Sequence, residues 1–185
     1  MNIFIKGDAI ETALYIGQKS VELGKRTALV TGDASMLPFN VGFLNRKTID
    51  FKGMDIYADS KDFIEKDYGF VIYYNCSREH EPSKNDICLW VVMQGALSGQ
   101  DPFAEYHCRK RMVVRDYIPH PMSDAILQNY TDYDIYRVPY TEDDQLENVN
   151  IKLLGAWDFS KLSESYKDFL TGFCKNKAKQ RMSTV

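Results

Sequence analysis

Two wholly apolar runs, FVIYY at residues 70–74 and ICLWVVM at 87–93, carry no polar break and are rich in β-branched and aromatic side chains. A strand of that kind has no solvent face, so each run predicts the centre of a sheet that is covered on both sides. Segments of helical period alternate with such runs. After the short run at 2–6, Ile10, Ala13, Leu14, Gly17 and Val21 recur at helix spacing, Gly24 takes the C-terminal cap position, and RTALVT follows at 26–31. Strand–helix–strand alternation argues for βα units, and hence for an α/β chain with a doubly wound, mostly parallel sheet and helices on both faces.

The remaining elements are less regular. Pro38, Asn40, Gly42 and Asn45 mark a loop before a strand at 54–58, a short helix at 60–65 and a charged loop at 77–86. Pro102 predicts the first turn of a helix over 101–110, followed by RMVVR at 111–115 as a strand. Ser123 is read as the cap of a helix reaching residue 130, DIYRV at 134–138 as a strand closed by Pro139, and 160–177 as the last helix. At 185 residues the chain suits one folding unit, divided here into a domain over 1–174 and a basic tail over 175–185.

With 23 basic and 26 acidic side chains and a net charge of -3, the composition makes no general electrostatic case for nucleic acid or an anionic membrane. Cys76, Cys88, Cys108 and Cys174 are dispersed without a C-x-x-C pair, which reads as reduced thiols that fill space. The run at 2–6 is too short for a signal peptide and no apolar run nears a membrane span, so a soluble, cytoplasmic chain is expected.

Where the first strand meets the first helix, the residues are Lys6-Gly7-Asp8-Ala9-Ile10-Glu11-Thr12-Ala13. In register, this resembles the K-G-G-x-G-K-T-T deviant Walker A loop of the ParA/MinD ATPases, in the strand–loop–helix context that the motif requires. The 24–30 segment GKRTALV resembles the family's second strand, with Asp33 near an aspartate of those ATPases. The 66–74 segment KDYGFVIYY is similar to the strand that ends in their Walker B-like aspartate, here Tyr74. Residues 85–92 resemble the next strand, and Met112 to Arg115 fall where the family has a strand ending in a base-contacting asparagine. Residues 136–140 resemble its late proline segment, and 166–173 its closing helix. The resemblance implies a P-loop NTPase-like fold over nearly the whole chain.

The departures bear on function. Asp8 and Ile10 replace glycines that let backbone N–H groups converge on phosphate, and Glu11 replaces the phosphate-binding lysine. Exchanging a lysine for a glutamate turns an attraction of roughly 4 kcal/mol near a protein surface into a repulsion of similar size. The same residues have a structural reading, with Asp8 capping the helix and Glu11 completing an acidic capping box. Thr12 is retained but has lost its phosphate and metal partners, Tyr74 removes a carboxylate that helps to organise magnesium, and Lys6 is read as an exposed lysine at a strand end.

Elsewhere, His80 is read as part of a solvated loop, the neighbours His107 and Cys108 as pointing to different helix faces, and His120 as a turn residue. Glu142 to Asp144 is read as an acidic loop. Lys175, Lys177, Lys179 and Arg181 form a basic tail from which membrane contact is not expected. Aromatics at 39–43 and 130–136 are candidate anchors for a protein partner.

The reading is a non-catalytic pseudo-ATPase without a cofactor or metal, acting as a protein-binding scaffold or localisation factor. The resemblance to atypical members such as TadZ suggests a pilus, secretion or polar-positioning apparatus. The partners are proteins, a second copy of the chain among them, and not nucleic acid. Two alternatives stand beside it: an ATPase that binds nucleotide through a rearranged loop using Lys6, Thr12 and Asp33, and a module holding a small ligand in the crevice beyond the strand ends.

Overall fold

The computed structural model describes residues 2–7, 9–31, 48–57, 63–76, 80–154 and 158–182. Asp8, Asp33, the aromatic loop at 39–43 and the first half of the short helix expected at 60–65 lie outside them. Strands β1 (Asn2–Lys6), β2 (Thr27–Thr31), β3 (Thr48–Phe51), β4 (Met54–Tyr57), β5 (Phe70–Tyr74), β6 (Ile87–Met93), β7 (Arg109–Arg115) and β8 (Tyr133–Val138) form one sheet in the order β3-β4-β2-β5-β1-β6-β7-β8. Each neighbouring pair is parallel except the β3–β4 hairpin at the edge. The doubly wound, mostly parallel α/β sheet expected from the apolar runs is therefore present. β5 is buried along its whole length, and β6 at all but its last residue.

Helices α1 (Ile10–Glu22), α3 (Glu142–Leu154) and α4 (Glu164–Met182) pack on one face, over a core that includes Ile3, Ile5, Leu14, Leu29, Ile72, Leu89, Ile151 and Leu170. α2 (Pro121–Leu127) and the irregular segment from Leu97 to Tyr106 cover the other face, over Phe4, Tyr73, Trp90, Phe103 and Met112. α1 ends as its sequence indicates: Gly24 has φ of 75°, its N–H reaches Val21 O, and the Lys25 N–H reaches Ser20 O. β1 lies between β5 and β6, with the chain winding to opposite sides from there. The crevice beyond its C-terminal end is thus the topological switch point of the sheet.

Four expectations are corrected. No helix forms over 101–110. Asp101 Oδ1 accepts the Phe103 N–H at 2.7 Å and the Tyr133 hydroxyl at 2.5 Å, a local turn that competes with the helix, and from Arg109 the chain is drawn into register with β6. α2 is capped by His120 rather than Ser123, because Nδ1 of His120 accepts the Met122 N–H and Pro121 opens the helix. Ser123 instead accepts a hydrogen bond from Gln94.

Glu142 to Asp144 is the first turn of α3 and not a loop. Thr141 Oγ1 accepts the Asp144 N–H while Asp144 Oδ2 accepts the Thr141 N–H, a reciprocal capping box. Finally, Cys88 and Cys108 form a disulfide joining β6 to the approach to β7, while Cys76 and Cys174 lie buried outside the bridge.

The disulfide closes a loop with a sequence separation of 20, so its reduction is expected to lower unfolding stability by roughly 3 kcal/mol. Urea denaturation with and without reductant measures this. Alkylation of Cys88 and Cys108 in the native, unreduced chain would contradict the bridge.

Candidate functional site

The β1–α1 turn is where the sequence places its phosphate-loop likeness. Gly7 has φ of 117°, and a Cβ there would lie 2.1 Å from the Val91 carbonyl oxygen. Only glycine lets this turn lie against β6. The Gly7 carbonyl accepts hydrogen bonds from the Tyr74 hydroxyl at 3.2 Å and from Asn75 Nδ2 at 3.1 Å, and the Tyr74 oxygen accepts the Ala9 N–H at 3.4 Å. One phenol thus serves as donor to one side of the turn and acceptor from the other. Tyr74 thus spans the loop with its own oxygen.

The expected Asp8–Glu11 capping box is corrected. α1 begins at Ile10 with Ala9 as its N-cap and no side-chain capping bond, so Glu11 sits one position short of the place that a capping box requires. Glu11 is instead buried at the inner end of α1, and Ile10 is buried in the core.

Thr12 is not without a partner. Its hydroxyl shares a 2.5 Å hydrogen bond with that of Tyr166 on α4, and both residues are fully or almost fully buried. The guanidinium of Arg115, at the end of β7, lies 3.7 Å from the centre of the Tyr166 ring and 5.0 Å from that of Tyr140. Nη2 of Arg115 donates to Asp144 Oδ2 at 3.1 Å, with both side chains almost wholly buried. Asp144 also accepts from Thr141 N, Ser163 N and Ser163 Oγ. Burial, with the charge of Glu11 next, pushes the Tyr166 hydroxyl above the ordinary phenol range and keeps it protonated.

Lys6 is corrected from an exposed lysine to a half-buried one, turned to the opposite face of the sheet. Its ammonium donates to the Cys76 carbonyl at 2.6 Å, and desolvation lowers its pKa. It lines a cavity of about 450 Å³ with Phe4, Tyr73, His80 and Tyr106. His80 packs on the Tyr73 ring at 4.8 Å between ring centres rather than standing free in a solvated loop. His107 is exposed and Cys108 is held in the disulfide.

The structure therefore brings Gly7, Ile10, Glu11, Thr12 and Tyr74 together at one turn and directs Lys6 away from it. Among the described residues, no cluster of three or more His, Cys, Asp or Glu could hold a metal ion, and no helix is long and apolar enough to cross a membrane. The sequence reading missed Tyr166, Asp144 and Asn148 as site residues and gave Arg115 only a strand position. The one visible signal was the T-x-x-D spacing of Thr141 and Asp144.

No known family profile matches the chain, and no curated protein matches it. Among solved structures, it is similar to a plasmid partition protein from Borrelia burgdorferi B31 bound to AMPPNP, with a TM-score of 0.57, 11% identity, and coverage of 97% of this chain and 98% of that one. A second plasmid partition protein structure from Borrelia burgdorferi gives a TM-score of 0.47 at 11% identity, covering 83% of this chain and 97% of that one. The first likeness supports the doubly wound, mostly parallel α/β fold expected from the sequence.

Replacing Tyr74 by Phe leaves the Ala9 N–H without its acceptor and is expected to cost about 1–3 kcal/mol. Arg115→Met leaves the buried Asp144 carboxylate without its counter-charge and should cost about 3–5 kcal/mol, the larger loss of the two. Denaturant midpoints of the two variants check the ranking.

Proposed function

We propose that the chain is a ParA/MinD-like pseudo-ATPase, degenerate in its phosphate loop, that works as a non-catalytic protein-binding scaffold or localisation factor. The observation that carries this reading is the Tyr74 hydroxyl bonded across the β1–α1 turn to Gly7 and Ala9. A phosphate loop functions by offering unspent backbone donors to oxygen. Here the chain's own phenol takes up part of that capacity, Thr12 is held by Tyr166, and an acidic side chain, Glu11, takes the place of the lysine. A setting like that of TadZ, in pilus, secretion or polar positioning, fits a member whose fold outlives its nucleotide site, and such a protein is cytoplasmic.

A partner surface is suggested by α3, whose polarity is inverted. Asp144, Glu147 and Ile151 face inward, whereas Leu146, Val149 and Leu153 are 63%, 48% and 77% exposed along the outer side. The spacing i, i+3, i+7 makes that outer side a continuous apolar stripe, and helical stripes of this kind dock into protein grooves.

The AMPPNP-bound neighbour makes nucleotide the first ligand to test. Calorimetric titration with Mg-ATP is expected to give no binding in the micromolar range and no phosphate release. Micromolar affinity with turnover would sink the scaffold reading in favour of an ATPase using a rearranged loop with Lys6, Thr12 and Asp33. The combined variant Asp8→Gly, Ile10→Gly, Glu11→Lys and Tyr74→Asp is expected to raise nucleotide affinity.

The stripe is tested separately. Leu146→Glu with Leu153→Glu should leave the circular dichroism spectrum unchanged while abolishing capture of partner proteins from the native cell. Unchanged capture would place the partner surface elsewhere.

A further inference from the structure

On the α2 side of the sheet, the cavity of about 450 Å³ that Lys6 lines has no part in the scaffold reading. Phe4 and Lys6 stand two residues apart on β1 and so share that face, and Phe4 pairs with Tyr73 of β5. The Tyr73 ring lies 4.7 Å from that of Phe4 and 4.8 Å from that of His80. Phe4 and Tyr73 are almost wholly covered and make a packed floor. The walls above it are open: Lys6, His80, Pro102 and Tyr106 keep part of their surface uncovered, and Ala104 is exposed. The volume is in the range of small-molecule sites.

The amine on this wall has no matching charge. Its hydrogen-bond acceptor is the Cys76 carbonyl, a neutral group at 2.6 Å that belongs to the same cavity. Among the described residues, no Asp or Glu forms an ion pair with it. Desolvation lowers its pKa, and the charge of Cys76 opposes this only in smaller part. A lysine held in a pocket without a counter-carboxylate offers its lone pair where a solvated lysine does not, and such amines attack carbonyl carbon. The other charges on the wall define the reactant. Asp101 and Glu105 line the cavity with Lys6, so a charged molecule of either sign meets a like charge there and an uncharged one does not.

We infer that this cavity is a covalent binding site for a small, uncharged aromatic aldehyde, which Lys6 takes up as an imine. The Nζ lone pair forms the bond to the carbonyl carbon while the carbonyl π pair moves to oxygen. The nitrogen then yields its two protons to that oxygen, which leaves as water as the C=N bond forms. One amine and one aldehyde thus give one imine and one water, with no oxidant or reductant. The open surfaces of His80 and Tyr106 receive the aromatic ring, with Pro102 and Ala104 as the apolar remainder. The inference stands apart from the scaffold reading, because it uses neither the phosphate loop nor a partner protein.

The probe is benzaldehyde, trapped on the folded full chain at neutral pH with cyanoborohydride and located by peptide mass spectrometry. Lys6 is expected to carry the benzyl adduct about tenfold more than the exposed Lys52, Lys66 and Lys84, since a positioned amine reacts ahead of free ones. In urea, with the cavity gone, that excess should vanish. Propanal has no ring, and its preference for Lys6 over the same three lysines should be at least about threefold smaller, the effect of one aromatic contact.

Tyr106→Ala removes one open ring and should bring the benzaldehyde preference down to that of propanal, with an unchanged circular dichroism spectrum. Labelling of Lys6 no greater than that of the exposed lysines, an excess that persists in urea, or equal preference with the two aldehydes in the wild-type chain would each overturn the assignment.

Discussion

The carboxylate of Asp144 anchors the functional end of this molecule. It is 2% exposed and accepts from the backbone at Thr141 and Ser163, from the Ser163 hydroxyl and from the Arg115 guanidinium. A buried carboxylate survives only when it is well supplied with donors, and here they come from the start of α3, the turn before α4 and the end of β7. Those contacts fix the guanidinium against Tyr166, and Tyr166 in turn holds Thr12. Through one acidic side chain, three elements distant in sequence are set against the first turn of α1.

That chain of contacts bears on the β1–α1 turn. A helix N-terminus has donors that must be met by water, a side chain or a ligand. In this protein Ala9 finds its acceptor in Tyr74, and the side chain of Thr12 is engaged by Tyr166 instead of being turned toward solvent. Both contacts use phenols raised from packed elements, one on a central strand and one on the buried side of α4. Such groups are rigid, and neither is displaced without disturbing the core in which its ring is packed.

The parts that were legible in the sequence were those governed by a single rule. β5 and β6 are buried, so unbroken apolar runs identify them, and Gly24 was readable because a left-handed residue is needed to end α1. What misled were segments in which two rules competed. Pro102 favours a helix start, but Asp101 captures the Phe103 N–H and Cys108 is tied to Cys88, so the segment turns and enters β7. α3 could not be found by periodicity, because Asp144 and Glu147 point inward while Leu146 and Leu153 point out. At the site, Glu11 was visible as an anomaly in a familiar loop, whereas Tyr166 and Asn148 act through contacts from elements far along the chain, which no local pattern announces.

The inversion of α3 and the buried polarity of the crevice have one origin. For Asp144 to reach Arg115, and Glu147 to meet the backbone N–H of Asp158, the polar side of α3 must face the sheet. With Asp144, Glu147 and Ile151 turned inward, Leu146, Val149 and Leu153 fall on the outer side of α3, beside the exposed Glu142, Asp143 and Gln145. Exposed apolar surface invites non-specific association and persists more readily when something covers it. The ion pair that braces the crevice therefore also sets which face of α3 is exposed, and weakening Arg115–Asp144 would disturb both together.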